Sequence, residues 1–320
     1  MTIYTDADYI FALLSLNEQK LYNVGKKVSW CEITLDILHH RDNLADFYFE
    51  IEDENSVLVK NKAYQDILKT TAEQVKNWLE DNLHIITVLD DDFPQQLLDI
   101  QEVPPYLFYE GVLKENDLGM SIIGARECSS EGEKVAKVAS GILEKYGLTE
   151  IGGLAMGIDT IGHNFALNNK MRTVGFLPSG IRNLPNNQAE ILLPQIVKNG
   201  GCVFSQFKPY SAPFMKGVAT NTYYLRNALM SGYGICSIVI EAGEYSGTKH
   251  QVGRAINHGR PVILTNLVYD NTQWGKEFVS KYKSITVVSS ISEMDEKVKE
   301  LLSIETSRSA KINLSGLVMT

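Results

Sequence analysis

The residues with the clearest chemical potential lie between Gly152 and His163, in the run GGLAMGIDTIGH. Glycines spaced this way let a backbone approach a ligand closely and then turn sharply into a helix. The N–H groups at such a helix start face outward and favour an anion. Two further segments repeat the design: SIIGAR at Ser121–Arg126 and IVIEAGEYSGTKHQ at Ile238–Gln251. Each is an apolar run that ends in glycine and leads into a helical pattern. Three such strand–loop–helix junctions place Gly124, Arg126, Gly153, Gly157, Ser246, Gly247 and Thr248 around one ligand at one sheet edge, because open α/β sheets bind beyond the carboxyl ends of their strands.

Other side chains near these loops have two readings each. Asp159 either accepts from a nucleotide hydroxyl or caps its helix, and capping is the expectation. His163, on the helix after the loop, is read as packed. Glu241, at a strand end, either acts as acid or base beside a sugar or orients neighbouring N–H groups. Tyr223, Tyr224 and Phe214 can stack on bases. Tyr223 and Tyr224 are adjacent on a helical pattern and point about 100° apart, so only one of them faces a base. A classical dinucleotide dehydrogenase is excluded, since no GxGxxG follows a first strand.

The elements that must position these residues follow from periodicity. Residues 1–80 read as helical, with apolar positions three and four apart in YIFALLSL and AYQDILKTTAEQVKNWLEDNL. HIITVL then reads as a strand, DDDFPQQLLDI as a turn into a helix, and VPPYLFYEGVL as an extended segment that packs onto the sheet that follows. From Met120 to about residue 290, apolar strands alternate with amphipathic helices. That alternation predicts an α/β fold, a doubly wound, mostly parallel, Rossmann-like sheet behind a smaller N-terminal helical domain. The expected division is a helical domain over 1–80, the extended Rossmann-like domain over 81–305, and a tail over 306–320.

Composition sets limits on function. The chain has 320 residues, 44% hydrophobic and 22% charged, ordinary values for a globular protein. No apolar run reaches the roughly 18 residues of a membrane span. The acidic N-terminus does not resemble a signal peptide. Cys31, Cys128, Cys202 and Cys236 form no CxxC pair, which argues against zinc or a disulfide framework and for a reducing cytoplasm. No metal or other cofactor is implied. The net charge of −9 is unevenly distributed. Residues 1–102 carry 20 acidic side chains against 8 Lys/Arg, while residues 103–320 carry 19 against 22. The segment 207–260 holds Lys208, Lys216, Arg226, Lys249, Arg254 and Arg260 against Glu241 and Glu244. The acid therefore sits in the front part and a basic sector lies near the converging loops.

Between residues 83 and 265 the sequence resembles the DprA/Smf DNA-processing family. The likeness runs through ITVLDDDFPQQLLDIQEVPPYLFYEG, SIIGAR, GGLAMGIDTIGHNFAL, FSQFKP, YYLRNALMSG and IEAGEYSGTKHQVGRAINHGRPV, in order and at matching spacing. The resemblance implies a Rossmann-like protein that binds single-stranded DNA, forms a homodimer and loads a RecA-type recombinase, by binding rather than catalysis. The pathway would be DNA uptake (natural transformation), recombination or defence. It assigns Arg126 to a phosphate, which a guanidinium can fork. Gly153, Gly157 and Asp159 match the family's second loop, with Met156 where the family has Arg. Arg226 and Asn227 match its Arg-Asn-Arg element, with Ala228 in place of the second Arg. Ser246, Gly247 and Thr248 match its last loop, followed closely by Lys249. The two missing cations predict weaker DNA binding and a smaller salt slope. EAGEYSGT also resembles, more weakly, the loop of nucleotide phosphoribohydrolases. The alternative is therefore a domain that senses or cleaves a nucleotide.

Overall fold

The computed structural model describes residues 3–23, 26–55, 62–214, 216 and 221–318. Helices α1 (Asp6–Glu18), α2 (Trp30–His39), α3 (Leu44–Asn55) and α4 (Lys62–Glu80) make up the front part. Local sequence fixes the starts of the first two. Thr5 and Asp8 form a reciprocal capping box on α1, and Ser29 and Glu32 form one on α2. The apolar stripes of α1 and α4 meet at Phe11 and Trp78, whose rings lie 5.0 Å apart. Phe11 then reaches Tyr106 at 4.4 Å, and Trp78 reaches Phe108 at 5.2 Å. The helical part thus shares its core with the sheet extension.

That extension is an antiparallel pair, β1 (His84–Thr87) and β2 (Tyr106–Gly111), joined through a short 3-10 turn at Gln95–Leu97. The sequence pattern placed a helix there; Pro94 and the closely following turn leave room for one turn only. From residue 119 the alternation is as expected: β3 (Gly119–Ile123), α5 (Ser130–Lys145), β4 (Thr149–Gly152), α6 (Ile158–Asn168), β5 (Thr173–Phe176), α7 (Asn187–Lys198), β6 (Cys202–Ser205), α8 (Thr222–Tyr233), β7 (Cys236–Val239), α9 (Thr248–Asn257), β8 (Val262–Thr265) and β9 (Ile285–Val288). Two helices between β8 and β9, α10 (Asn266–Tyr269) and α11 (Gln273–Lys281), fall where the sequence reading assigned no element. The final helix α12 (Ile291–Val318) runs unbroken past Thr306, where the sequence suggested a tail.

The nine strands lie in the order β1-β2-β6-β5-β4-β3-β7-β8-β9. β3 to β9 are parallel, and β2 joins β6 antiparallel. Successive residues alternate between two buried faces. Ile122, Ile238 and Ile263 pack toward α5, α6 and α12. Ile123, Val239 and Leu264 pack into the cluster shared with α8, α9 and the front helices. Burial on both faces explains why these strands read as unbroken apolar runs. The chain leaves β3 toward β4 on one side and returns at β7 on the other, so the order reverses between β3 and β7. Ligands bind at such a reversal, beyond the carboxyl ends of the strands.

Candidate nucleic-acid interface

The loops after β3, β4 and β7 meet at this reversal. Ala125 N–H donates to Glu241 O at 2.7 Å, and Ile158 N–H donates to Ala125 O at 3.1 Å. A Cβ on Gly124 would lie 2.7 Å from Glu241 O. Gly157 has φ +78°, a region that disfavours side chains, and a Cβ there would collide with the carbonyl oxygens of Ala125 and Arg126. Gly124, Arg126, Gly153 and Gly157 are therefore brought together although they come from two junctions. Ser246, Gly247 and Thr248 follow β7 on the same edge. Ser246 Oγ donates to Thr248 Oγ1 at 2.9 Å and accepts from Thr248 N–H at 3.2 Å, which closes the start of α9.

The paired glycines of the second loop have separate causes. A Cβ on Gly152 would press on His163 Nε2 at 2.5 Å. One on Gly153 would run into the Arg226 guanidinium and the Asp159 carboxylate. Both are needed because buried side chains pass beneath them. His163 is fully buried, as expected, with Nδ1 2.7 Å from Thr173 Oγ1 and 3.0 Å from Glu150 Oε2. Asp159 departs from the capping expectation: Gly157 is the N-cap of α6 and supplies no side chain. The Asp159 carboxylate turns back to accept from Gly153 N–H at 2.9 Å. Burial pushes its pKa up, against the pull of Arg226 and His163.

Among the candidate cations, Arg126 is exposed, with its guanidinium 5.6 Å from the centre of the Tyr223 ring. Arg226 is placed otherwise than a phosphate-facing cation would be. It is 6% exposed; Nη1 donates to Gly153 O at 2.6 Å and Phe176 O at 3.0 Å, and Nε donates to Asn227 Oδ1 at 2.9 Å. Arg226 and Asn227 thus brace the ends of β4 and β5 from below. Tyr223 faces these two arginines, whereas Tyr224 packs against His250 and under Arg254. The adjacent tyrosines diverge, as helix geometry requires. Lys249 is half-buried and its ammonium lies 5.9 Å from the Phe278 ring, along a groove of about 190 Å³ between α9 and α11. The rest of the basic sector is largely engaged within the fold. Arg254 pairs with Glu102, and Arg260 donates to Gly232 O at 3.2 Å. Glu241 is also engaged, accepting from Ser129 N–H at 2.9 Å and Ser129 Oγ at 3.0 Å at the start of α5. A cleft of about 310 Å³ lined by Gln96, Asp99, Asp117 and Arg260 opens at the opposite edge of the sheet.

The two positions that lack the family's cations differ physically. Met156 is 58% exposed on the loop, while Ala228 is fully buried in α8. Met156→Arg is expected to leave stability within about 0.5 kcal/mol of the original. Ala228→Arg is expected to cost at least about 1–3 kcal/mol by overpacking. Thermal melts of both variants check this. One residue the sequence reading passed over is Tyr245, which is 100% exposed in the loop after β7. Its only sequence signal is an aromatic ring between Glu244 and Ser246 in a glycine-bounded turn.

Among the described residues no helix is long and apolar enough to cross a membrane, and no cluster of side chains could hold a metal ion. All four cysteines are free. Comparison with known proteins agrees with the fold. The chain is 33% identical to DNA processing protein DprA of Streptococcus pneumoniae over 55% of its length and 61% of that protein's. It is 30% identical to protein Smf of Escherichia coli over 58% of its length and 49% of that protein's. The matched regions thus span about half to three fifths of these relatives. The X-ray structure of the S. pneumoniae protein superposes with a TM-score of 0.57 at 22% identity, covering 88% of this chain and 99% of that one. DNA processing protein A of Helicobacter pylori, solved for its single-stranded DNA binding mode, gives 0.57 at 17% identity over 68% and 96%. Residues 84–299, well over half of the chain, match the family described as DNA recombination-mediator protein A, and the chain belongs to that family.

Proposed function

We propose that the chain binds single-stranded DNA across the edge formed by the ends of β4, β3 and β7, and acts there as a recombination mediator without catalysis. The observation that carries this reading is the exposed Arg126, held on three interlocked loops at the strand-order reversal of a fold shared with this family. Gly124, Gly153 and Gly157 pack the loops together so that their backbone lines the strand's path, and Ser246, Gly247 and Thr248 offer polar groups at the start of α9. Arg226 and Asn227 support the loops from below, and Lys249 flanks them. Handing the strand to a RecA-type recombinase, working as a homodimer and acting in the cytoplasm belong to the same reading. Residues 1–80 serve it as a helical module, 81–305 as the binding body and 306–320 as a C-terminal extension. The alternative nucleotide-cleaving reading lacks a free acid or base at Glu241, whose carboxylate is held by Ser129.

Fluorescence anisotropy with labelled oligo-dT and a duplex of equal length, at two salt concentrations, tests the proposal. The single strand is expected to bind more tightly, and more weakly as salt rises. Arg126→Ala is expected to cost about 1.5 kcal/mol of binding, the scale of a hydrogen bond to a charged group, and to lower the salt slope by about 0.7. Tighter binding of the duplex, or an Arg126→Ala variant indistinguishable from the parent, would refute it.

A further inference from the structure

Tyr245 is presented to solvent by a fixed turn rather than a loose one. Ser246 N–H donates to Gly243 O at 3.2 Å, which closes the turn around it. Trp274 Nε1 donates to the same oxygen at 3.2 Å, and Gln273 N–H donates to Glu244 Oε2 at 2.7 Å. The residues just before Tyr245 are anchored to the start of α11, yet the ring itself is 100% exposed. A second exposed ring lies just ahead of α8. Phe214 is 50% exposed, and its backbone is tied to the first turn of α8: Phe214 N–H donates to Thr222 Oγ1 at 2.9 Å, and Thr222 N–H donates to Phe214 O at 2.8 Å. The next residue on that turn, Tyr223, carries the ring beside Arg126. Exposed rings on two loops of the edge that also carries Arg126 fit a partner with flat π-faces and a charged backbone.

We propose that Tyr245 is a base-stacking residue at the β7 end of the track, with Phe214 as a second stacking ring, so that this chain holds single-stranded DNA through its bases as well as through phosphate. The inference rests on the single-strand reading above. Adjacent strands lie about 4.8 Å apart, so the ends of β4, β3 and β7 span about 10 Å, room for about three nucleotides of a stacked strand at roughly 3.4 Å each. A backbone turn fixed in advance has little freedom left to lose on binding, which favours stacking over an ordering loop. A base-held strand also compensates in part for the cations absent at Met156 and Ala228, because stacking does not depend on counterion release.

The test compares oligo-dT with an abasic oligonucleotide of the same length, which keeps the phosphates and removes the bases. The intact chain is expected to bind oligo-dT more tightly than the abasic strand. Tyr245→Ala is expected to weaken oligo-dT binding about tenfold and leave abasic binding unchanged, while Tyr245→Phe retains the affinity. Phe214→Ala is expected to act in the same direction. Full exposure of Tyr245 means these variants fold as the parent does, which a thermal melt verifies. Equal affinity of the intact chain for both strands, or a Tyr245→Ala loss that is the same on both, overturns the stacking role and leaves single-strand binding standing. No binding of either strand by the intact chain overturns the single-strand reading and this inference with it.

Discussion

Arg226→Met is expected to lower the free energy of unfolding by about 3–5 kcal/mol, the range for breaking a buried charge pair from one side. The side chain is 6% exposed and donates to the carbonyls of Gly153 and Phe176, so its loss strands two acceptors at the ends of β4 and β5. It also leaves Asp159, which is 7% exposed, without its facing cation. Burial already raises the Asp159 pKa above 3.8 and Arg226 opposes that rise. Removing Arg226 lifts it further. A carboxyl with a raised folded pKa takes up protons more readily when folded, so its contribution to stability declines as pH rises from about 3.8 through the folded pKa. The deficit of the variant should therefore be larger at pH 7.5 than at pH 5. Asp159→Asn added to Arg226→Met should recover part of the loss, since the two side chains act as one unit. Urea unfolding at both pH values reads all of this. A loss below about 1 kcal/mol would show that Arg226 is solvated and not a brace.

The family resemblance gave Arg226 to the DNA, yet its side chain is 6% exposed. In a helix, residues at i, i+3, i+4 and i+7 share a face. Arg226, Leu229, Met230 and Tyr233 have that spacing, and all four are buried. That spacing puts Arg226 on the inner stripe of α8, a signal the resemblance to the Arg-Asn-Arg element overrode. The carbonyls that make burial tolerable come from residues 73 and 50 positions away, beyond any local pattern.

The strands and the three converging loops were legible for a related reason. Strands buried on both faces must be apolar throughout, and loops that cross at 3 Å must be glycine at the crossing. Both constraints are written in residue types. The partners of those glycines are not. Gly152 and Gly153 suggested ligand approach, but their neighbours on the inner side are His163 and Arg226. The second helix after β8 does carry a stripe, Trp274, Phe278 and Tyr282 at i, i+4 and i+8, but it is one face wide and short, and the sequence reading passed over it. Tyr245 escaped because exposure of a ring depends on how its turn is anchored, and Trp274 and Gln273 lie far along the chain.

The other large effect is expected at the pair formed by Glu150 and His163, both of which are fully buried between β4, β5 and α6. Thr173 Oγ1 lies 2.5 Å from Glu150 Oε2 and 2.7 Å from His163 Nδ1, joining the two. Burial lowers the pKa of His163, but the Glu150 charge and hydrogen bond outweigh it, and the net direction is upward from 6.5. A histidine with a raised folded pKa contributes stability that is fully present below about pH 6.5 and is lost as pH climbs through the folded value. The parent protein should therefore lose stability on going from pH 6 to alkaline pH. Glu150→Gln removes the charge that holds the proton while keeping the shape. With that charge gone, burial pulls the His163 pKa down and the imidazole is held neutral, so at pH 6 the variant is expected to lose the stability that the raised pKa gives the parent, about 1–3 kcal/mol on the scale of a weakened buried hydrogen bond. The loss should shrink as pH rises above 6.5, because the parent gives up its proton on that climb and the variant has none to give up. The pH dependence should thus reverse sign between the two, with the variant gaining relative to the parent as pH rises. His163→Gln should flatten the parent's slope over the same window. Because Gly152 and Gly153 sit directly over His163 and Arg226, loosening this pair should also weaken oligo-dT binding, through the loop and with the Arg126 salt slope intact. Parallel stability profiles of parent and Glu150→Gln between pH 6 and 8.5 would mean that His163 is neutral throughout and that the pair is a hydrogen bond without charge.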